Sequence, residues 1–297
     1  MSTRVLILGT GLIGASLGLA LKALGPAFEG TVLGWDANPL ELAKAREMGA
    51  LDELLPSREA AFTPDLADMY VLATPVLPIL DWMERLAPGL GESQLVTDVG
   101  STKQAITERA KALYNGPGQA QFLAGHPMAG KESGGAALAE AGLFRGATWL
   151  FCPGQMEVST PQIANISPRI AEFRGWIEAI GARPRDLDPA QHDVLCAWVS
   201  HLPQILSTAL AAVLEETFAE DAEGRALVEA IGGRALRETT RLGASPYSMW
   251  RDVALTNTEP LAATLFALEQ RLAHLRENLR TPELREEFAA ANRFRAK

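Results

Sequence analysis

Arg4-Val-Leu-Ile-Leu-Gly-Thr-Gly-Leu-Ile-Gly14 runs from an apolar stretch straight into Gly9-x-Gly11-x-x-Gly14, and these eleven residues decide the fold of the N-terminal half. Twenty-two positions after Gly14 a second apolar run, Thr31-Val-Leu-Gly-Trp35, ends in Asp36. Each part has its own task in holding a dinucleotide. Gly9 permits a tight turn, Gly11 lets backbone approach a pyrophosphate, and Gly14 lets a helix pack closely on the strand. The N-terminus of that helix, opening at Leu12 and Ile13, offers unpaired N–H groups and a positive dipole end. An acidic residue at the tip of the second strand accepts both ribose hydroxyls of NAD and repels the extra phosphate of NADP. A glycine triplet alone is weak evidence; set between strand and helix, with an acid at this distance, it is strong. The competing reading, a secretory signal over Val5–Leu21, is disfavoured by four glycines in that stretch and by the lack of a small-residue cleavage pattern.

Bulk composition narrows the rest. A chain of 297 residues with 47% hydrophobic and 21% charged residues has room for two globular domains. A net charge of −9 with scattered Lys and Arg argues against a nucleic-acid partner. The Val5–Leu21 stretch is too glycine-rich for a membrane span, and no other run reaches about 18 uninterrupted apolar residues. The two cysteines, Cys152 and Cys196, lie in apolar stretches without metal spacing, as buried free thiols of a cytoplasmic protein would. No metal is expected.

Short apolar runs alternate with helical stretches up to residue 187, the mark of a parallel sheet covered by helices. Strands are expected at Val5–Leu8, Thr31–Trp35, Met69–Ala73, Gln94–Asp98, Gln121–Ala124, Thr148–Phe151 and Arg183–Asp186. Helices are expected at Ile13–Leu24, Pro39–Glu47, Val76–Leu86, Lys103–Leu113 and Gln162–Ile180. Ligands of open α/β sheets lie beyond the strands' carboxyl ends, so Asp36, Thr74, Pro75 and the segment after Asp98 should share one crevice. From residue 188 onward the periodicity is helical. Gln191–Thr217 reads as one long helix kinked beside Ser200-His201, because Pro203 cannot donate to the Val199 carbonyl. Leu261, Leu265, Leu268, Leu272, Leu275 and Leu279 form a stripe that suits either a core face or a seam between subunits. The expected architecture is α/β, with a Rossmann-type dinucleotide-binding domain over 1–187 and an all-helical substrate and dimerisation domain over 188–297.

Four segments carry candidate chemistry. In Thr97-Asp-Val-Gly-Ser-Thr-Lys103, Ser101 is either a site residue or only a helix N-cap, with Lys103 facing solvent. In Gly125-His-Pro-Met-Ala-Gly-Lys-Glu132-Ser-Gly-Gly135, His126 follows a strand and is a candidate acid or base. In His192-Asp-Val-Leu-Cys-Ala-Trp-Val-Ser-His-Leu-Pro-Gln204, Ser200, His201 and Gln204 gather round the kink, although a packed helix histidine would look the same. In Thr239-Thr-Arg-Leu-Gly-Ala-Ser-Pro-Tyr-Ser-Met-Trp-Arg-Asp252, Arg241 beside Trp250 and Arg251 could grip a carboxylate, or pair within its own helix with Glu238.

Taken together, Gly9-x-Gly11-Leu-Ile-Gly14, Asp98-Val-Gly-Ser-Thr-Lys103, Gly125-His-Pro-Met-Ala-Gly-Lys-Glu132, Ser200-His-Leu-Pro203 and Thr240-Arg-Leu…Met249-Trp-Arg-Asp252 resemble the prephenate/arogenate dehydrogenases of tyrosine biosynthesis, in order and across nearly the whole chain. The resemblance implies NAD-linked oxidative decarboxylation of prephenate or arogenate by a homodimer. His126 would be the catalytic base with Ser101 aligning it, and Arg241, Glu132, Ser200, Gln204 and Trp250 would surround the substrate. Gln204 stands where many relatives carry histidine, which leaves the keto-acid or amino-acid preference open. The other readings are a β-hydroxyacid dehydrogenase, disfavoured because Gln191–Thr217 contains no lysine, and a non-catalytic NAD sensor, which would not need His126, Ser101 and Arg241 together.

Overall fold

Strand β1 (Thr3–Leu8) ends in four fully buried residues, which requires cover on both faces. Val5 and Ile7 enter one hydrophobic core while Leu6 and Leu8 enter the other, as the two-residue period of a strand dictates. This computed structural model describes residues 2–153 and 167–296. Alongside β1 lie β2 (Gly30–Trp35) and β4 (Met69–Leu72), both parallel to it. Met69 and Val71 join the first core and Tyr70 and Leu72 the second. The chain runs outward from β1 through β2 to β3 (Glu53–Leu54), then returns to β4 on the other side. That reversal opens a crevice beyond the carboxyl ends of β1 and β4.

The sheet continues through β5 (Leu95–Asp98), β6 (Gln121–Pro127), β7 (Thr148–Cys152) and β8 (Arg183–Asp186), in the order β3-β2-β1-β4-β5-β6-β7-β8. All seven expected strands are present; the two-residue β3 was too short to show a pattern. One pairing departs from the parallel expectation: β6 and β7 are antiparallel. No α-helix lies between them, only a 3₁₀ turn at Ala136–Leu138. A parallel return needs a crossover, usually helical.

Helices α1 (Leu12–Ala23), α2 (Pro39–Glu47), α3 (Val76–Leu86) and α4 (Gln104–Leu113) fall within a residue of expectation. Helix α5 covers Pro168–Ala179, its N-cap Ser167 accepting from the Arg169 N–H. The start of the expected Gln162–Ile180 helix, residues 162–166, lies outside the described residues.

Beyond residue 187 every described regular element is helical. Helices α6 (Pro189–Cys196) and α7 (Leu202–Thr217) are joined by a π-helical turn, Ala197–His201. The disturbance expected from Pro203 is therefore an inserted residue in the ladder, a device common at functional sites. After them come α8 (Ala222–Ile231), α9 (Gly233–Thr240), α10 (Tyr247–Thr256), α11 (Thr258–Glu277) and α12 (Glu283–Arg295). Neither large core contains a side chain from this half. The leucine stripe is only partly covered: Leu261 is buried, Leu265, Leu268 and Leu275 are half-buried, and Leu272 and Leu279 are exposed.

Two buried carboxylates join the halves. Asp193 of α6 accepts the Lys103 and Gln104 N–H groups (2.7 and 2.9 Å), and Asp252 of α10 accepts the Leu77 N–H (3.1 Å). Helices α4 and α3 have no side-chain cap of their own. The helical half caps them instead, placing negative charge at their positive ends.

Candidate active site

The crevice at the reversal point is a cleft of about 690 Å³ lined by Gly9, Gly11, Trp35, Asp36, Thr74, Pro75 and Arg251, among others. Gly9 adopts φ +98°, and a β-carbon there would lie 2.5 Å from the Ala73 carbonyl oxygen. A β-carbon on Gly14 would collide with the Gly9 carbonyl, whereas one on Gly11 meets nothing within 4 Å. Two glycines therefore serve packing, while Gly11 keeps the cleft floor free of side chain. Leu12 is buried and Ile13 half-buried at the start of α1. The buried Thr74 hydroxyl on the far wall has no partner among the described residues. A floor open at Gly11, a helix N-terminus and an orphan hydroxyl fit a bound dinucleotide.

Asp36 stands at the tip of β2. Its carboxylate accepts the Thr10 N–H at 2.6 Å and the Asn38 N–H at 2.8 Å, fixing the acid in the cleft. Sequence reading missed three neighbours: Arg58 pairs with Asp81 and lies 4.7 Å from the centre of the Trp82 ring. Arginine over an aromatic face makes a rigid wall, but nothing in the local sequence around Arg58 points to the cleft.

His126 lies near the carboxyl end of β6, buried at 8% exposure. Its Nδ1 is 2.9 Å from Nε2 of His192, and His192 Nδ1 is 2.8 Å from Asp193 Oδ1. Burial, with His192 and Lys103 adding to it, holds the His126 imidazole well below its usual 6.5. Burial also lowers His192, with Asp193 opposing, and takes His201 down to about 4. All three rings are uncharged at neutral pH. The Cys196 thiol lies 3.5 Å from His192 Nε2, and burial pushes it up to about 12. His126, His192 and Cys196 offer ligand atoms within 4.8 Å of one another, the donor set of a soft metal ion. The histidine–histidine contact already satisfies the two facing nitrogens.

Asp98 and Lys103 correct one expectation. Lys103 is fully buried, and its ammonium meets the equally buried Asp98 carboxylate. Asp98 also accepts the Gly100 and Gly125 N–H groups, at 2.7 and 3.1 Å. Burial still pushes the Asp98 carboxyl upward against these partners. The pair ties the loop after β5 to the strand carrying His126. Lys103, not Ser101, is the α4 N-cap. Ser101 is half-buried, and its hydroxyl bonds no described side chain, whereas the His126 imidazole meets His192.

Arg241 does not pair with Glu238, which takes Arg234. It pairs with Glu132 at 2.9 Å, the two side chains 53% and 41% exposed. Two residues singled out from opposite halves thus meet across the domain junction. Gln204 is buried and engaged: its amide donates to the Leu242 carbonyl at 2.6 Å and accepts from Ser245 at 3.2 Å. It holds the turn that carries Arg241. Ser200 lies half-buried in the π turn. Trp250 packs edge-on to His201 with ring centres 5.9 Å apart, its buried indole N–H without a partner among the described residues. Asn257 Nδ2 reaches the Asp193 carbonyl (2.9 Å) and His201 Nδ1 (3.1 Å). The His-Asp pair at 192–193 was visible in sequence, but a helical periodicity does not say which polar pair faces a neighbouring domain.

Comparison with known proteins agrees with this geometry. Residues 17–178 match the family described as prephenate dehydrogenase, nucleotide-binding domain, and residues 188–292 match prephenate dehydrogenase, dimerization domain. A prephenate dehydrogenase of Bacillus subtilis is 31% identical over 264 residues, 88% of this chain and 66% of that protein, so the chain spans about two thirds of that relative's length. The prephenate dehydrogenase of A. aeolicus, solved with hydroxyphenyl propionate and NAD+, superposes with a TM-score of 0.84 at 27% identity, covering 100% of this chain and 98% of that one. Synechocystis arogenate dehydrogenase gives 0.72 at 30% identity over 99% of both chains. With both family domains matched in order over the two halves that the structure separates, the chain belongs to the prephenate dehydrogenase family.

Proposed function

We propose that this chain oxidises prephenate, or its amino counterpart arogenate, with NAD as the hydride acceptor, releasing carbon dioxide and an aromatic product. The observation that carries the reading is His126: an uncharged imidazole, buried near the carboxyl edge of the sheet where the helical half closes over it. One ring nitrogen is occupied by His192, which leaves Nε2 to meet substrate. NAD supplies the acceptor for the hydride leaving C4. His126 Nε2 takes the C4 hydroxyl proton as carbonyl character develops. The C1–carboxylate bond then breaks, its electron pair entering the ring to complete the aromatic system, and the proton returns to the product's phenolic oxygen. No proton is gained or lost overall.

Arg241 orients the substrate carboxylate, a positioning role because that charge finally leaves as carbon dioxide. Glu132 holds Arg241 at the mouth until substrate competes for it. Ser101, Ser200 and Trp250 line the approach, and Gln204 acts at one remove by fixing the Arg241 turn. Gly9, Gly11, Leu12, Ile13, Gly14, Asp36, Thr74 and Pro75 bind the dinucleotide. The chain works as a homodimer joined through its helical half, and two buried free cysteines suit the cytoplasm. Steady-state rates with prephenate and arogenate, each with NAD and NADP, test the reading. Turnover of either substrate with NAD supports it, and no turnover with both would overturn it.

A further inference from the structure

His126, His192 and Asp193 form a line of three buried groups, and every contact along it has a required direction. We infer that His192 and Asp193 are positioning residues that lock His126 into the tautomer with Nδ1 protonated and Nε2 bare, the form able to accept a proton from substrate. The inference rests on the reading of His126 as the base and names what makes it one.

The line of contacts is anchored at the carboxylate. Asp193 Oδ1 accepts from the Lys103 N–H (2.7 Å) and Oδ2 from the Gln104 N–H (2.9 Å), so its orientation is fixed from the sheet half. A carboxylate only accepts, so the His192 Nδ1 lying 2.8 Å away must be the protonated nitrogen. A neutral imidazole carries one N–H; His192 Nε2 is then a bare acceptor. Opposite it, 2.9 Å away, stands His126 Nδ1. Two bare nitrogens at that distance would repel, so Nδ1 holds the proton and Nε2 has none. Any other assignment leaves a buried acceptor facing an acceptor, with the desolvation of both left uncompensated. When Nε2 gains the substrate proton, the positive charge on His126 is shared toward His192 and faces the Asp193 carboxylate beyond. The Cys196 thiol, 3.9 Å from His126 Nδ1, closes the side of the contact without competing for it as an ion.

The arrangement also links the halves. His126 belongs to the sheet, while His192 and Asp193 belong to the first helix of the other half. Docking α6 on α4 therefore sets the tautomer of the base, and the sheet half alone would hold His126 without its partner.

The chain has four histidines, so nitrogen-15 resonances of specifically labelled protein can be assigned by substituting each in turn. The wild type is expected to show His126 protonated at Nδ1 and bare at Nε2. In Asp193→Asn the introduced N–H must face the backbone N–H of either Lys103 or Gln104, so the acceptor opposite His192 Nδ1 is no longer held from both sides, and kcat for prephenate should fall by about two to four powers of ten, as when a catalytic histidine's carboxylate becomes an amide. His192→Leu should lower kcat about a hundredfold with KM changed less than about threefold. His192→Gln, whose amide oxygen can still accept from Nδ1, should recover at least about a tenth of the wild-type rate. A His126 protonated at Nε2 in the wild type would overturn the inference, as would equal rates for the Leu and Gln variants. The tautomer is read without any substrate, so a failed prephenate assay with the expected resonances would reject the reaction and leave the relay standing.

Discussion

The two halves of the chain bury their apolar residues in opposite ways. The sheet half packs two continuous cores, one on each face of β1 and β4, and among its described residues exposes only three large hydrophobic side chains, Leu40, Leu54 and Leu138. The helical half contributes to neither core, and α8, α9 and α12 bury no residue at all. Ile231 is 79% exposed, Val199 63% and Leu272 51%. The run Pro189–Thr217 is long and apolar enough to cross a bilayer, with 28% of its most apolar window buried. Besides a few apolar residues such as Leu202, Val253 and Leu261, this half buries His192, Asp193, His201, Asp252 and Asn257, and His192, Asp193 and Asp252 bond to the sheet half. One half is thus a finished domain. The other is a polar lid on the active site with an apolar back, and a second copy covering that back accounts for both.

The largest effect should come from the wall supplied by the sheet half. His126→Ala should lower kcat by about 10²–10⁴-fold and leave NAD binding unchanged; a loss under tenfold would make the histidine structural. Because burial depresses His126, the acid limb of the kcat profile should lie below pH 6.5. Activity should be flat through neutrality and fall only as acid protonates the ring. A midpoint at or above 6.5 would mean the imidazole is solvated during turnover.

Next come substitutions that separate the two kinds of apolar surface. Leu6→Ala, inside the second core, should cost about 2–5 kcal/mol of unfolding free energy at any protein concentration. Leu272→Glu should leave the sheet half intact and weaken self-association about thirtyfold or more, the mark of an interface centre, with a melting temperature that depends on concentration. If Leu272→Glu destabilised the protein independently of concentration, the helical half would have its own core after all.

Smaller effects test the junction. Arg241→Ala should raise KM for substrate about tenfold with kcat within about threefold, and Arg241→Lys should recover only part of it, lacking the planar fork. Its pair with Glu132 is too exposed to contribute more than about 1 kcal/mol to stability, so an unchanged melting temperature is part of the expectation. The smallest change is at the cofactor: Asp36→Ser should raise KM for NAD a few-fold and bring NADP closer to it. Wild-type preference for NADP would refute the role given to Asp36.

Much of this was legible in the chain because the sheet half obeys short-range rules. Short apolar runs alternating with helical stretches located seven strands, the Gly9–Gly14 spacing located the cleft, and Asp36 followed from its distance. The antiparallel β7 escaped because nothing local to Thr148–Cys152 records which way its partner runs. Lys103 was misjudged for a related reason: a lysine after a turn looks solvated until a carboxylate five residues earlier, Asp98, is buried against it. His192 and Asp193 were in plain sight, yet their partners are 66 and 90 residues away in sequence. Burial against another domain, and still more against another chain, leaves no period to read.

Equilibrium sedimentation of the wild-type protein at micromolar concentration tests the unfinished-half account most directly. The account predicts a single species of twice 31.8 kDa, since obligate interfaces of this apolar kind bury more than about 2,000 Å². A fully active species of 31.8 kDa at that concentration would contradict it.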